Sequence, residues 1–306
     1  MQRSMFSGLF AAAFVVSTPL AVQAPAAFAQ KAPSKAKAPP APRPRVRVAV
    51  PTNCSSFYLE GRAPAATVPA APAAAAGRIF CHMIYSVSYS VPMLNPLWSA
   101  EHLTRAAALG GDATFRTDRS SFQQQPELTR AQQAANADFA GNEWDLGHMA
   151  PANDAPDDAS QNDTFFLTNV VPQEDNLNRI LWAHLEASVH KIAEDAGEVY
   201  IVTGPIFGAH PPLMNNRVPI PDFTFKAIYI PSRRLAAGFI GRNNESATCV
   251  MVSVAEITRQ TGIDPFPSLL AAVKATPPTL TLPDGVNVRR DGSTQRVPAP
   301  NCPAAP

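Results

Sequence analysis

His148 stands in the stretch "NEWDLGHMAPANDAP", residues 142–156, three positions after Asp145 and directly after Gly147. A neutral imidazole titrates at about 6.5, so near neutral pH it can take a proton from water. Asn178 follows thirty residues later, and Glu186 eight beyond that. A carboxamide oxygen is a hard donor of the kind magnesium accepts, because that ion keeps most of its waters and binds few protein oxygens. A base on one side and a hard cation on the other are the parts that phosphodiester hydrolysis requires. The base makes the nucleophile, and the cation stabilises charge on the phosphate and the leaving oxygen.

These residues need elements to carry them. The pattern from Asn176 to Ala196 predicts one long helix, with Asp175 placed to cap its start and Gly197 to end it. On that helix Asn178, Trp182 and Glu186 are spaced by four and lie along one side, a side that Leu181, Leu185 and Val189 largely share. An apolar stripe accounts for Leu181, Trp182 and Leu185. It leaves Asn178 and Glu186 in need of partners, since burying either unpaired costs roughly a few kcal/mol. Period-two patterns predict strands at 82–91, 164–171, 198–204, 223–230, 235–241 and 249–254, the first of them half-buried. A second helix is expected after Ser253, with Glu256 in capping-box relation and Gly262 as its stop. Strands around one long helix give an α+β class with a central mixed or antiparallel sheet.

Composition sets the boundaries. Ala/Pro runs at 32–51, 63–76 and 276–306 hold too few large side chains to drive folding. The folded domain is therefore expected at 77–275, with 30–76 as a basic Ala/Pro-rich linker and arm, a short segment around Cys54 attached, and 276–306 as a tail. Residues 1–29 read as an export signal: Arg3, an apolar run from Gly8 to Val16, then Ala27-Phe28-Ala29. That implies a secreted or periplasmic location without stable membrane association. Four cysteines lacking CxxC spacing fit two disulfides in an oxidising compartment. Three connectivities are open; Cys54 with Cys81 and Cys249 with Cys302 is favoured, because each pair would pin an Ala/Pro-rich arm to the core.

The formal charge of +1 conceals an asymmetry: residues 48–306 carry 18 basic against 24 acidic side chains, a net of −6. The folded part is not a basic body, so a polyanion would be held by a local patch, a metal or the flexible arm. No HExxH, HxH or GxSxG spacing occurs, which speaks against a zinc protease or a serine hydrolase. The acidic group Asp154, Asp157, Asp158 and Asp163 reads as a solvated loop.

Four blocks in order, "WDLGHMAPAND", "TFFLTNVVPQEDNLNRILWAHLE", "VYIVTGPIF" and "SVAEITRQTG", resemble the non-specific DNA/RNA endonucleases of the ββα-metal type over about residues 80–270. The resemblance implies a ββα-metal finger: His148 ends one strand, "TFFLTNVV" forms the next, and the helix from Asn176 carries the metal ligand. By the same resemblance His148, expected to face solvent, is the general base and Asn178 the direct ligand of Mg2+ or Mn2+. Glu186 holds water on the metal, Asn169 orders the site, and Asp145 opens the histidine motif. DNA and RNA are the implied substrates, and a protein inhibitor is the implied partner. The chain departs from the family at Leu146, where Asp-Arg-Gly-His has arginine. Losing such a donor would weaken transition-state stabilisation by roughly a few kcal/mol. Arg116, in "ATFRTD", or Arg179 is expected to supply the missing charge. A second reading is a decayed nuclease fold that binds nucleic acid or a protein partner.

Overall fold

In chain order the strands and helices that frame the site are β1 (Arg78–Cys81), β2 (Tyr85–Ser90), β3 (Asn95–Thr104), α1 (Arg105–Gly111), β4 (Asp145–His148) and β5 (Val170–Gln173). A π-helical segment, Leu177–Trp182, then runs into α2 (Ala183–Ala196), followed by β6 (Glu198–Ile206), β7 (Phe223–Ile230), β8 (Leu235–Arg242), β9 (Cys249–Val252) and α3 (Val254–Thr261). The chain closes with β10 (Gly285–Val288) and β11 (Thr294–Val297). The computed structural model describes residues 53–67, 77–112, 122–288 and 293–305, all within the unit Pro44–Pro306. The expected signal, the basic run at 31–47 and Arg116 lie outside the described residues.

Seven strands form one antiparallel sheet in the order β9-β8-β7-β6-β3-β2-β1. On one face Leu177, Trp182, Leu185, Val189 and Ile192 pack against Val199, Ile201, Ile228 and Phe239. On the other, Val254 and Ile257 of α3, with Phe57 and Tyr58 of the N-terminal arm, cover Trp98, Val202, Phe225 and Ile240. Burial of both faces corrects the half-buried reading of 82–91: Tyr85, Val87 and Tyr89 are enclosed, and so are Ser86, Ser88 and Ser90. It also explains why β3 gives no sequence signal. A strand covered on both sides does not alternate, and "NPLWSAEHLT" contains a proline and a glutamate.

Other boundaries shift for local reasons. In "TFFLTNVV" only Val170 and Val171 are in a strand, which continues to Gln173; Leu167–Asn169 is a 3-10 turn. The long helix is capped by Glu174 rather than Asp175: its carboxylate accepts from the N–H groups of Asn176 at 2.9 Å and Leu177 at 3.1 Å. Asp175 instead pairs with Arg179 at 3.6 Å. The stops and cap further on fall as expected, with Gly197 at φ 102° ending α2 and Ser253 capping α3.

The cysteines pair as Cys54–Cys81 and Cys249–Cys302. Both flanks of the expected domain carry structure. Phe57 and Tyr58 join the core, and Ala65–Ala66 pairs with Ile263–Asp264. At the other end β10 and β11 form a hairpin, Leu280 and Leu282 pack into the α2 layer, and Ser188 Oγ donates to the Pro283 carbonyl at 2.7 Å. A few apolar side chains suffice there because an apolar helix side receives them and Cys302 is tied to β9. No described helix is long and apolar enough to cross a membrane.

Candidate active site

β4 and β5 form a separate two-stranded ribbon, in register from Asp145 opposite Gln173 to His148 opposite Val170. The glycine between them is a steric requirement. A Cβ on Gly147 would lie 2.2 Å from Gln173 Oε1 and 2.6 Å from Gln173 Cβ, and Gln173 is fully buried. At the ribbon's end His148 is only 9% exposed, which corrects the expectation of a solvent-facing ring. Its imidazole is set edge-to-face on Phe165 at 5.1 Å and tilted against Phe122 at 5.3 Å. Two phenyl walls thus fix the ring's orientation.

Asn169 holds the chain that leaves His148. Its Oδ1 accepts from the Ala150 N–H at 3.0 Å, and its Nδ2 donates to the carbonyls of Ala150 and Thr164, both at 2.9 Å. Fully buried, it positions the backbone around the histidine.

Asp145 reaches the helix. Arg179 donates to it through Nε at 2.7 Å and Nη2 at 2.6 Å, and Asn178 Nδ2 donates at 2.9 Å. With the amide nitrogen committed to Asp145, the Asn178 carbonyl oxygen is turned away as an acceptor, the orienting role a partner of a metal ligand plays. Leu146 is half-buried against the cluster of Leu94, Phe139, Leu167 and Val170, so an apolar contact occupies the place of the family's arginine.

Glu186 lies two turns along from Asn178, and Lys226 Nζ is 4.0 Å from its Oε1. Lys226 is 1% exposed, donates to Thr203 Oγ1 at 2.8 Å and lies 5.7 Å from the Trp182 ring centroid. Sequence reasoning passed over this lysine; the signal was a charge inside the apolar run "FTFKAIYI". On β3, burial pushes the Glu101 carboxyl far above the usual carboxylate range, with Asp154 and Glu186 adding to the effect and Lys226 opposing it.

The acidic group expected as a solvated loop is largely buried. Asp157 caps the helix Asp158–Asp163 through the Ser160 N–H at 2.8 Å, and Asp163 accepts from the Met83 N–H at 2.6 Å. Asp154 accepts from His190 Nδ1 at 2.8 Å, while His190 Nε2 donates to the Ala108 carbonyl at 3.0 Å. Asp112, Asn153, Asp154, Glu186, His190 and Val286 of the C-terminal hairpin line a small cavity.

Asp112, His190 and Glu194 have ligand atoms within 4.8 Å of one another, a spacing that could hold a metal ion. Burial would lower the His190 pKa, yet hydrogen bonds to Asp112 and Asp154 carry it up to about 10. With both nitrogens donating, the group is an ion-pair cluster, and a metal ion there would have to displace the proton from the ring. The oxygen donors of Asn178 and Glu186 suit a hard divalent cation better. A pH effect on stability follows. Because the folded pKa lies above the unfolded value of about 6.5, the stabilisation is complete below that pH and fades as pH rises towards 10. Wild type should therefore exceed His190→Gln by on the order of a few kcal/mol at pH 6, with the gap closing by pH 10. Denaturant unfolding across that range checks it; a gap independent of pH would refute it.

A histidine-tipped antiparallel ribbon followed by a helix bearing oxygen donors is the arrangement of the ββα-metal nucleases. The chain belongs to the DNA/RNA non-specific endonuclease family, whose sequence profile matches residues 65–272. It is 33% identical over 159 residues to Nuclease C1 of Cunninghamella echinulata var. echinulata, covering 48% of this chain and 63% of that one. Human mitochondrial nuclease EXOG is 26% identical over 212 residues, covering 62% of this chain and 57% of its own. Among solved structures, the EndoG/EndoGI complex aligns with a TM-score of 0.55 and 25% identity over 65% of this chain and 89% of that one. The chain thus spans less than two thirds of the length of these two nucleases.

Proposed function

We propose that this protein is an exported endonuclease that hydrolyses phosphodiester bonds of DNA and RNA with little sequence preference, using Mg2+ or Mn2+ held at Asn178. The observation that carries the reading is the hydrogen bond from Asn178 to Asp145, which turns a carbonyl oxygen outward on the helix following the His148 ribbon. When bound, such an ion would supply charge stabilisation at the scissile phosphate and leaving oxygen. His148 accepts the proton of the attacking water at a ring nitrogen, with Phe122 and Phe165 holding the ring for in-line attack. Glu186 would hold water bound to that ion. Arg179, 57% exposed and braced by Asp145, offers the phosphate contact that Leu146 cannot make, and Arg116 is the other candidate.

Export is supported by the signal-like start and by two disulfides. The EndoG/EndoGI complex, described as giving the mechanism of EndoG inhibition, supports a protein inhibitor as a partner here too. The apolar packing of Leu146 favours one competing reading, a nuclease fold that binds without cutting. Incubating the purified chain with plasmid DNA and with RNA, with Mg2+ or with chelator, decides between them. Degradation of both substrates only with the metal is expected; binding of either without degradation would establish the competing reading.

A further inference from the structure

We infer that Lys226 is a positioning residue for Glu186: a sheet-borne ammonium that holds the helix carboxylate in its working place. The inference rests on Glu186 serving the site. Lys226 sits on a central strand, in register with Thr203 on β6 and Phe239 on β8. At such a position an apolar side chain would pack without penalty, whereas an ammonium must find compensation. The compensation converges on one spot. Thr203 Oγ1 accepts at 2.8 Å, the face of Trp182 lies 5.7 Å away, and Glu186 Oε1 lies 4.0 Å away.

Neighbouring acids do not take over that role. The Glu101 carboxyl is fully buried and pushed above the usual carboxylate range despite the nearby Lys226, and Asp154 is bonded to His190, which also faces Asp112. The geometry also says which partner is fixed. Lys226 and Thr203 stand on adjacent, fully paired strands of a seven-stranded sheet. Glu186 rides on a helix whose neighbouring turn towards Asn178 is π-wound. The ammonium therefore ties the helix carboxylate to the rigid layer, acting through one oxygen, Oε1.

The test uses Lys226→Met, Lys226→Arg, Thr203→Val and Glu186→Gln in the full chain, read by kcat and KM on a DNA oligonucleotide, by Mn2+ affinity from titration calorimetry, and by melting temperature. Lys226→Met should stay folded, lower kcat by about 10–100-fold with little change in KM for DNA, and weaken Mn2+ binding by a similar factor. Lys226→Arg should restore most of both, and Lys226→Met should add nothing in the Glu186→Gln background. If Glu186→Gln is crippled while Lys226→Met keeps wild-type kcat and Mn2+ affinity, the inference falls and the reading of the site stands. If Glu186→Gln is itself silent, the reading of Glu186 falls and this inference with it. Should Lys226→Met fail to fold, Thr203→Val decides: a severalfold loss of kcat at unchanged melting temperature supports the inference, and wild-type kcat and Mn2+ affinity overturn it.

Discussion

His148→Gln should lower phosphodiester cleavage by roughly 10²–10⁴-fold, the range lost when a general base is removed, while leaving metal binding and melting temperature near wild type. Glutamine is the informative replacement because the ring is enclosed. Alanine would leave a void between Phe122 and Phe165, and a loss of activity could then reflect collapse of the ribbon's end. Glutamine fills much of the space and keeps hydrogen-bonding capacity, but cannot accept a proton near neutral pH. Cleavage within threefold of wild type would remove His148 from the role of base.

Asn178→Ala should be comparably severe, roughly 10²–10³-fold in rate, with loss of Mn2+ affinity. Asn178→Asp separates the ligand's two jobs. It keeps an oxygen for the metal but loses the donor to Asp145, and it brings a second carboxylate into a contact that is now 2.9 Å. The aspartate variant should bind metal only when that repulsion is relieved, so Asp145→Asn in the same chain should recover part of the affinity. Full activity in Asn178→Asp alone would mean that the bond to Asp145 does not orient the ligand.

How much of this was legible in the sequence depends on how far apart the interacting residues lie. Strands β6 to β9, the stop at Gly197 and the cap at Ser253 were readable because each is set by a local pattern. The pairing of the cysteines is legible too, since each bond ties an Ala/Pro-rich flank to the core. The polar partners were not readable. Glu186 needs Lys226, forty positions away, and Asp154 needs His190, thirty-six away, so neither charge announces its match locally. A loop of aspartates therefore reads as solvated although Asp154 and Asp157 are buried and Asp158 and Asp163 half-buried. His148 looked exposed for the same reason, because its phenyl walls come from residues 122 and 165. The cap falls one position earlier than its pattern suggests because the helix already begins at Asp175, which leaves Glu174 to accept from the N–H groups of Asn176 and Leu177.

The π-wound turn at Leu177–Trp182 has a bearing on which length changes the protein can survive. A π turn carries an extra residue relative to an α turn, so deleting one residue between Arg179 and Trp182 would let the segment rewind as ordinary helix. The shorter segment would still complete the same turn, so Asn178 and Glu186 would keep their relative phase. Asn178 would still face Asp145, and the deleted position could be the exposed Ile180, whose removal costs little packing. This turn is thus a phase buffer: losing one residue there should be tolerated, whereas losing one from the regular helix between Ala183 and Glu186 would turn Asn178 by about 100 degrees relative to Glu186 and be fatal for the site.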